Sequence, residues 1–435
     1  MKKKTWYSLD NAAKIFPCIS KKDRPNMYRV SATLVEEVNK DILQQTLETV
    51  LTRFPSFKVK IKSGIFWYYL DNNTSDFVVT EEQANIFDYD LIKQKSGYLF
   101  NVSYYKNKIA LTMFHSLTDG TGAMEFLKTI LYQYLKYTGK NIESEGLIML
   151  PESPTSNEEV KDNFLKYYDK HNAKSAKEVR AYHIEGTNFE YGGVGCIIGT
   201  ADVSEVKALA KKYNVTITTY LCALYTYACY KDSYNPDKPK MFKNPIALLV
   251  PANMRKIFND DTLRNYAGFV RLVTQFKPNL TLEEIIEDYN NQMKEKLTKE
   301  NLLNAVNSNV KFEKMWIIRI MPLFLKNIVM RIAYNIIGDN LHTSSVSNLG
   351  IINLPESMKP FIKNLYFDLG ASYSITRNFG ICSYNGKINL SFSRSIIETG
   401  VEKVFFRVLT EQGIKVELNS NYWEVEEWKS VQNVM

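Results

Sequence analysis

Histidine and cysteine are scarce in this sequence of 435 residues, with four of the first and five of the second. The cysteines, Cys18, Cys196, Cys222, Cys229 and Cys382, are odd in number. They form no C-x-x-C pair and stand at no zinc-type spacing from a histidine. A disulfide framework and a structural zinc site are thereby excluded, and no metal site is expected. Such usage suits reduced thiols in a cytosol, and Cys222 and Cys229 fall in an apolar helical stretch that reads as core. G-x-G-x-x-G fingerprints and phosphate loops are missing too, which removes nucleotide hydrolysis and dinucleotide redox chemistry. Long hydrophobic runs are also lacking. The opening MKKKTWYSLDNAAKIFP starts like the basic region of a secretion signal but lacks the run of roughly 7 to 15 apolar residues that should follow, so a cytoplasmic protein is expected. Residues 315–337 are interrupted by Arg319, Pro322, Lys326 and Arg331, short of the ~20 clean residues that span a bilayer. They read as a groove-packed helix of a soluble protein, the commoner case, with a peripheral membrane contact as the alternative because MPLFLKNIVMRIAY mixes bulky apolar residues with cations.

Charge of one sign is not dominant either: 55 Lys and Arg against 47 Asp and Glu leave a net +8. The longest basic cluster, Lys2-Lys3-Lys4, lies at the start of the chain, so no nucleic-acid partner is expected; the balance at most favours anionic small molecules. With 45 % hydrophobic and 13 % aromatic residues the composition is globular, which excludes disorder, collagen and coiled coil as descriptions of the whole chain. At about 150 residues per domain the length allows two or three.

Periodicity supplies the element order. Residues 27–38 alternate as a strand and 40–53 repeat as a helix. Two hairpins follow, 57–61 with 65–70 across Lys62-Ser63-Gly64, and 98–105 with 109–114 across Lys106-Asn107-Lys108. Helical period returns at 122–137. Between 141 and 190 the pattern dissolves around Pro151 and Pro154 into a charged stretch, a candidate linker that divides the chain into lobes at 1–175 and 176–435. The second part repeats the order: strand 195–201, helices 203–213 and 218–230, strands 246–251 and 269–276, helices 282–300 and 315–337. Late strands at 365–367, 380–384 and 388–393 include a hairpin on Asn385-Gly386, and a helix over 399–413 ends on its glycine.

Chemistry concentrates at His115, where the apolar strand IALTMF ends and the next helix has not begun, in the run HSLTDGTG. A histidine takes a proton from a hydroxyl or amine at neutral pH and returns it to a leaving group. Asp119 holds the ring or turns away to fix the loop through a buried cation, and Gly120 permits a tight turn. Taken alone, H-x-x-x-D-G recurs by chance and favours a structural histidine. His171 and His183 fall in the linker and read as solvated; His342 is a reserve candidate.

The wider context resembles the chloramphenicol acetyltransferase-like acyltransferases, most closely the bacterial alcohol acetyltransferases, with condensation domains as relatives. The likeness runs through LDNAAKIFP at 9–17, RFPSFKVKIKSGIFWYYL at 53–70, HSLTDGTGA at 115–123, PANMRKIFNDDTLRNY at 251–266 and SNLGIINLP at 347–355. It implies an α/β fold (an α+β sandwich) of two similar lobes, each a mixed sheet with helices on one face, with a tunnel between them. It further implies that His115 is the general base, and that Asp119 points away to pair with Arg255. The activity implied is direct transfer of an acyl group from acyl-coenzyme A, a co-substrate rather than a bound cofactor, to a small alcohol or amine, by a monomer. The Gly120 N–H and the Ser347 or Asn348 side chain are candidate oxyanion donors, while a plain turn remains open for Ser347-Asn348-Leu349-Gly350. Phe114 stands where condensation domains carry a second histidine, and no D-F-G-W-G block of plant enzymes is present. Carrier-protein-dependent condensation and a catalytically silent two-lobed binding protein remain as alternatives.

Overall fold

The computed structural model describes residues 6–87, 90–169, 179–189, 193–237 and 243–421. The first lobe is organised by a mixed five-stranded sheet in the order Ile362–Leu369, Met27–Leu34, Lys108–Phe114, Phe100–Tyr105 and Thr80–Glu81. Strand Met27–Leu34 is buried on both faces, because helices Lys40–Arg53 and Gly120–Tyr137 cover one side and the second lobe closes the other. Asn39 fixes the start of the first helix by accepting from the amides of Asp41 and Ile42. A small sheet of Trp6–Ser8, Tyr68–Asn72 and Val59–Ser63 stands beside it. Its hairpin turns over residues 64–67, slightly later than the sequence suggests.

The second lobe carries a mixed seven-stranded sheet: Ala267–Thr274, Ile246–Asn253, Ser344–Ile351, Arg377–Tyr384, Lys387–Arg394, Gly195–Asp202 and Glu417–Ser420. The Asn385-Gly386 hairpin forms as expected, with both residues at positive φ, 47° and 78°. Helices Ile217–Ser233, Leu282–Lys296 and Gly400–Glu411 pack on this sheet. The stacked rings of Phe379 and Phe392, 4.3 Å apart, meet Phe405 edge-on in its core.

Several expectations need correction. Residues 347–350 are not a simple turn but the end of strand Ser344–Ile351, which carries a bulge after Asn348; Gly350 does take a positive φ of 76°. Helix 282–300 stops at Lys296, because Thr298 caps a separate helix, Lys299–Lys314. The 315–337 segment splits into Trp316–Ile320 and Leu323–Ile337, since Pro322 cannot continue the first. The division of the chain at 175 is not a division of the sheets. Strand Ile362–Leu369 pairs antiparallel with Met27–Leu34 in the first lobe while the Sγ of Cys382 and the Nδ2 of Asn389 in the second lobe donate to the Leu365 carbonyl.

The described part of the linker is built into the structure rather than draped over it. Glu159 forms a two-pronged ion pair with Arg53 at 2.8 Å, almost out of solvent, and Phe164 is buried in the second core. Glu159→Ala strands the guanidinium, and we expect it to lower unfolding free energy by about 3 kcal/mol, read by denaturant titration. Unchanged stability would show that the Arg53 pair does not anchor this segment to the first lobe.

Candidate active site

His115 leaves the sheet at the end of strand Lys108–Phe114, and its amide donates to the carbonyl of Asn26 at 3.0 Å. The ring lies against Phe16, stacked at 4.5 Å, and meets the edge of Tyr28 at 5.0 Å. It remains partly exposed. These aromatic walls strip water from the ring, and burial pushes its pKa below the usual 6.5 against the pull of Asp119, Asn265 and Asp10.

Asn265 and Asp10, which the sequence reading did not single out, complete the arrangement. The Oδ1 of Asn265 lies 2.9 Å from His115 Nδ1, and its Nδ2 donates to Asp10 Oδ2 at 3.1 Å. Since Nδ2 is aimed at a carboxylate, Oδ1 is turned toward the ring. A carbonyl oxygen only accepts, so the network assigns the proton to Nδ1 and leaves the lone pair on Nε2. Asp10 is itself held by the amide of Ala13 at 2.7 Å; burial raises its pKa, and the neighbouring Arg264 charge opposes that rise. Both residues lie within sequence blocks that carry the family resemblance. What could have flagged Asn265 is its type, a buried amide beside the arginine loop, but its partner is 150 positions away.

Asp119 points away from His115. One oxygen caps helix Gly120–Tyr137 through the amide of Gly122 at 3.2 Å, and the other accepts from Arg255 and from the amide of Tyr266, both at 2.8 Å. Arg255 continues to the carbonyls of Thr262 and Arg264, so its guanidinium is fully engaged with the 262–266 loop. Thr118 adds a bond to the Leu263 carbonyl at 2.5 Å.

Gly120 opens the helix, but its role differs from the tight turn expected. A Cβ there would lie 2.9 Å from Leu349 and 3.2 Å from Phe367, so a side chain would push away the second part of the chain. The two side-chain oxyanion candidates precede the bulge, so strand alternation places them on opposite faces. Asn348 takes the face of Thr218, to which its Nδ2 donates at 2.9 Å, and its Oδ1 accepts from the amide of Gly350 at 2.8 Å; Ser347 takes the other face.

His183 is not solvated: its Nδ1 lies 2.9 Å from the Ser374 carbonyl, and its Nε2 is buried. His342 sits by His183 and Asp339, and burial holds its pKa down to about 4. No hydrogen bond or ring contact joins either to His115 among the described residues, and His171 lies outside them. The described residues hold no cluster of metal-ligating side chains. A cavity of about 690 Å³ is lined among others by Trp6, Leu9, Lys14, Trp67, Lys314 and Arg319, and His115 is not part of its wall.

A family model described as alcohol acetyltransferase matches residues 163–404, more than half of the chain. The chain belongs to the alcohol acetyltransferase family. His115 and Asp119 precede the matched residues, whereas Arg255, Asn265, Ser347 and Asn348 lie within them. No curated protein sequence matches this family member. Its fold is that of several solved structures. Polyketide synthase associated protein 5 from Mycobacterium tuberculosis is 12% identical, with a TM-score of 0.59 over 93% of this chain and 97% of that one. The epimerization domain from the third module of tyrocidine synthetase B is 11% identical, with a TM-score of 0.57 over 93% and 95%. A starter condensation domain of rhizomide synthetase, solved as a mutant in complex with C8-CoA, is 11% identical, with a TM-score of 0.58 over 95% and 98%.

Asp119→Asn keeps the helix cap but leaves Arg255 without its counter-charge. We expect a loss of about 3 kcal/mol in unfolding free energy, measured by denaturant titration. Stability equal to the wild type would contradict the tie.

Proposed function

We propose that this alcohol acetyltransferase family member moves an acyl group from acyl-coenzyme A to the hydroxyl of a small acceptor, with His115 as general base and no covalent enzyme intermediate. One observation carries the reading: an accessible imidazole whose Nδ1 is committed to Asn265, backed by Asp10, so that Nε2 is the free basic atom. The presence of C8-CoA, and in another crystal C8-CoA with Leu-SNAC, in the rhizomide synthetase domain of the same fold supports a thioester donor.

In this reading Nε2 takes the acceptor proton as the acceptor oxygen attacks the thioester carbonyl. The tetrahedral oxyanion needs donors already in place. Gly120 supplies one, because an N–H in the first turn of a helix has no intrahelical partner, and the Ser347 hydroxyl supplies the second. Collapse breaks the carbon–sulfur bond, and the proton on Nε2 passes to the departing thiolate, restoring the starting tautomer. The charge that develops on the imidazolium is stabilised through Nδ1–H by the Asn265 carbonyl. Asp119 and Arg255 brace the loop and take no part in proton transfer.

Release of free thiol from acetyl- or octanoyl-coenzyme A, followed with a panel of alcohols, tests the proposal. His115→Ala is expected to lower kcat/KM by roughly 10²- to 10⁴-fold with the fold intact. Transfer that survives in this variant would refute it. The depressed His115 pKa sets the sign of the pH profile: the proton-accepting form persists below pH 6.5, so the acidic limb of kcat/KM falls below that value. An acidic limb above pH 6.5 would show that another group is the base.

A further inference from the structure

Helix Leu323–Ile337 buries Leu323 and Met330 but turns a larger apolar face to water. Its inward face carries Lys326, fully buried, with its ammonium on the Phe66 carbonyl at 2.6 Å and over the Trp67 ring at 3.5 Å. Its outward face carries Phe324, Leu325, Ile328, Val329, Ile332 and Ile336, all exposed, with Phe324 at 66% and Ile336 at 59%. The preceding helix adds Trp316 at 69% and Ile320 at 59%. The hairpin tip is locked on by the Leu323 amide donating to the Ile65 carbonyl at 2.8 Å, and it extends the patch with Phe66 and with Ile65, 77% exposed. A contiguous patch of this kind on a soluble chain marks a surface that something apolar covers.

Charge identifies the occupant. Between Lys314 and Gly338 there is no Asp or Glu, while Lys314, Arg319 and Arg331 are exposed among the apolar residues. Bulky aliphatic and aromatic side chains interspersed with cations, with the one adjoining carboxylate, Glu313, paired to Lys14, match the headgroup and acyl boundary of an anionic bilayer. No helix of the described residues is long and apolar enough to cross a membrane, so the contact is one of lying on it. Arg319 and Lys314 also line the cavity described above, which therefore opens beside this surface.

We propose that helices Trp316–Ile320 and Leu323–Ile337, with the Ile65-Phe66 tip, dock this protein on an anionic lipid membrane surface. The docking surface does not rest on the acyltransferase reading. The test is flotation of the full chain with vesicles of phosphatidylcholine alone and of phosphatidylcholine mixed with phosphatidylglycerol. The wild type is expected to float with the mixed vesicles and less with the neutral ones, and its binding is expected to weaken as salt rises. Phe324→Glu combined with Ile328→Glu is expected to lower vesicle binding about tenfold or more without changing the melting temperature, because both side chains already face outward. Arg319→Glu combined with Arg331→Glu is expected to remove the preference for the anionic vesicles. Equal flotation of the wild type and the Phe324/Ile328 variant overturns the proposal. So does a wild type that stays off both vesicles, whether or not a mass measurement shows that it pairs with a second copy through this face.

Discussion

Both oxygens of the Asp119 carboxylate are occupied, one by the first turn of helix Gly120–Tyr137 and the other by Arg255 and the Tyr266 amide from the second lobe. That geometry fixes more than a loop. Tyr266 follows Asn265 directly, so the oxygen that holds the Tyr266 amide also sets where the Asn265 side chain meets His115. A buried charge with one partner removed is costly, which makes the arrangement close to all or none: the lobes are registered, or Arg255 is left unpaired in a nearly dry site. Thr118, bonded to Leu263, and Glu159, whose carbonyl receives the Leu263 amide, hold the same loop from two further sides.

The catalytic proposal follows from what this registration does to one ring. Phe16 and Tyr28 lower the basicity of His115 by excluding water, and the Asn265–Asp10 pair directs the remaining basicity to Nε2. A ring free to rotate, or one exposed on all sides, would have neither property. The proposed proton acceptor is therefore built from three separated parts of the chain, around residues 10, 115 and 265. The strand that approaches Gly120 comes from a fourth.

Local signals were the legible part. The Asn385-Gly386 hairpin, the apolar stripe of 122–137 and the position of His115 at a strand end all depend on neighbours within a few residues, and each is found where the sequence placed it. The Asp119–Arg255 pair was legible only through the family resemblance, because its members stand 136 positions apart. Asn265 and Asp10 were not legible even so, since no local pattern distinguishes an amide that orients an imidazole from one that closes a turn. A turn stays open for residues 347–350 in the sequence because Ser, Asn and Gly favour turns, and tertiary pairing makes them the end of strand Ser344–Ile351 instead. His183 was read as solvated from the polarity of its neighbours, yet Ser374 from a distant loop covers it.

The central claim is that the registered lobes hold His115 with its proton on Nδ1. Nitrogen NMR of the protein labelled in histidine, with the His115 signals assigned by their loss in His115→Ala, reads this directly at neutral pH. The account predicts a protonated Nδ1 and a bare Nε2 in the wild type, with mixed tautomers once Asn265 is changed to alanine. A wild-type ring protonated on Nε2, or a tautomer indifferent to Asn265, would contradict it.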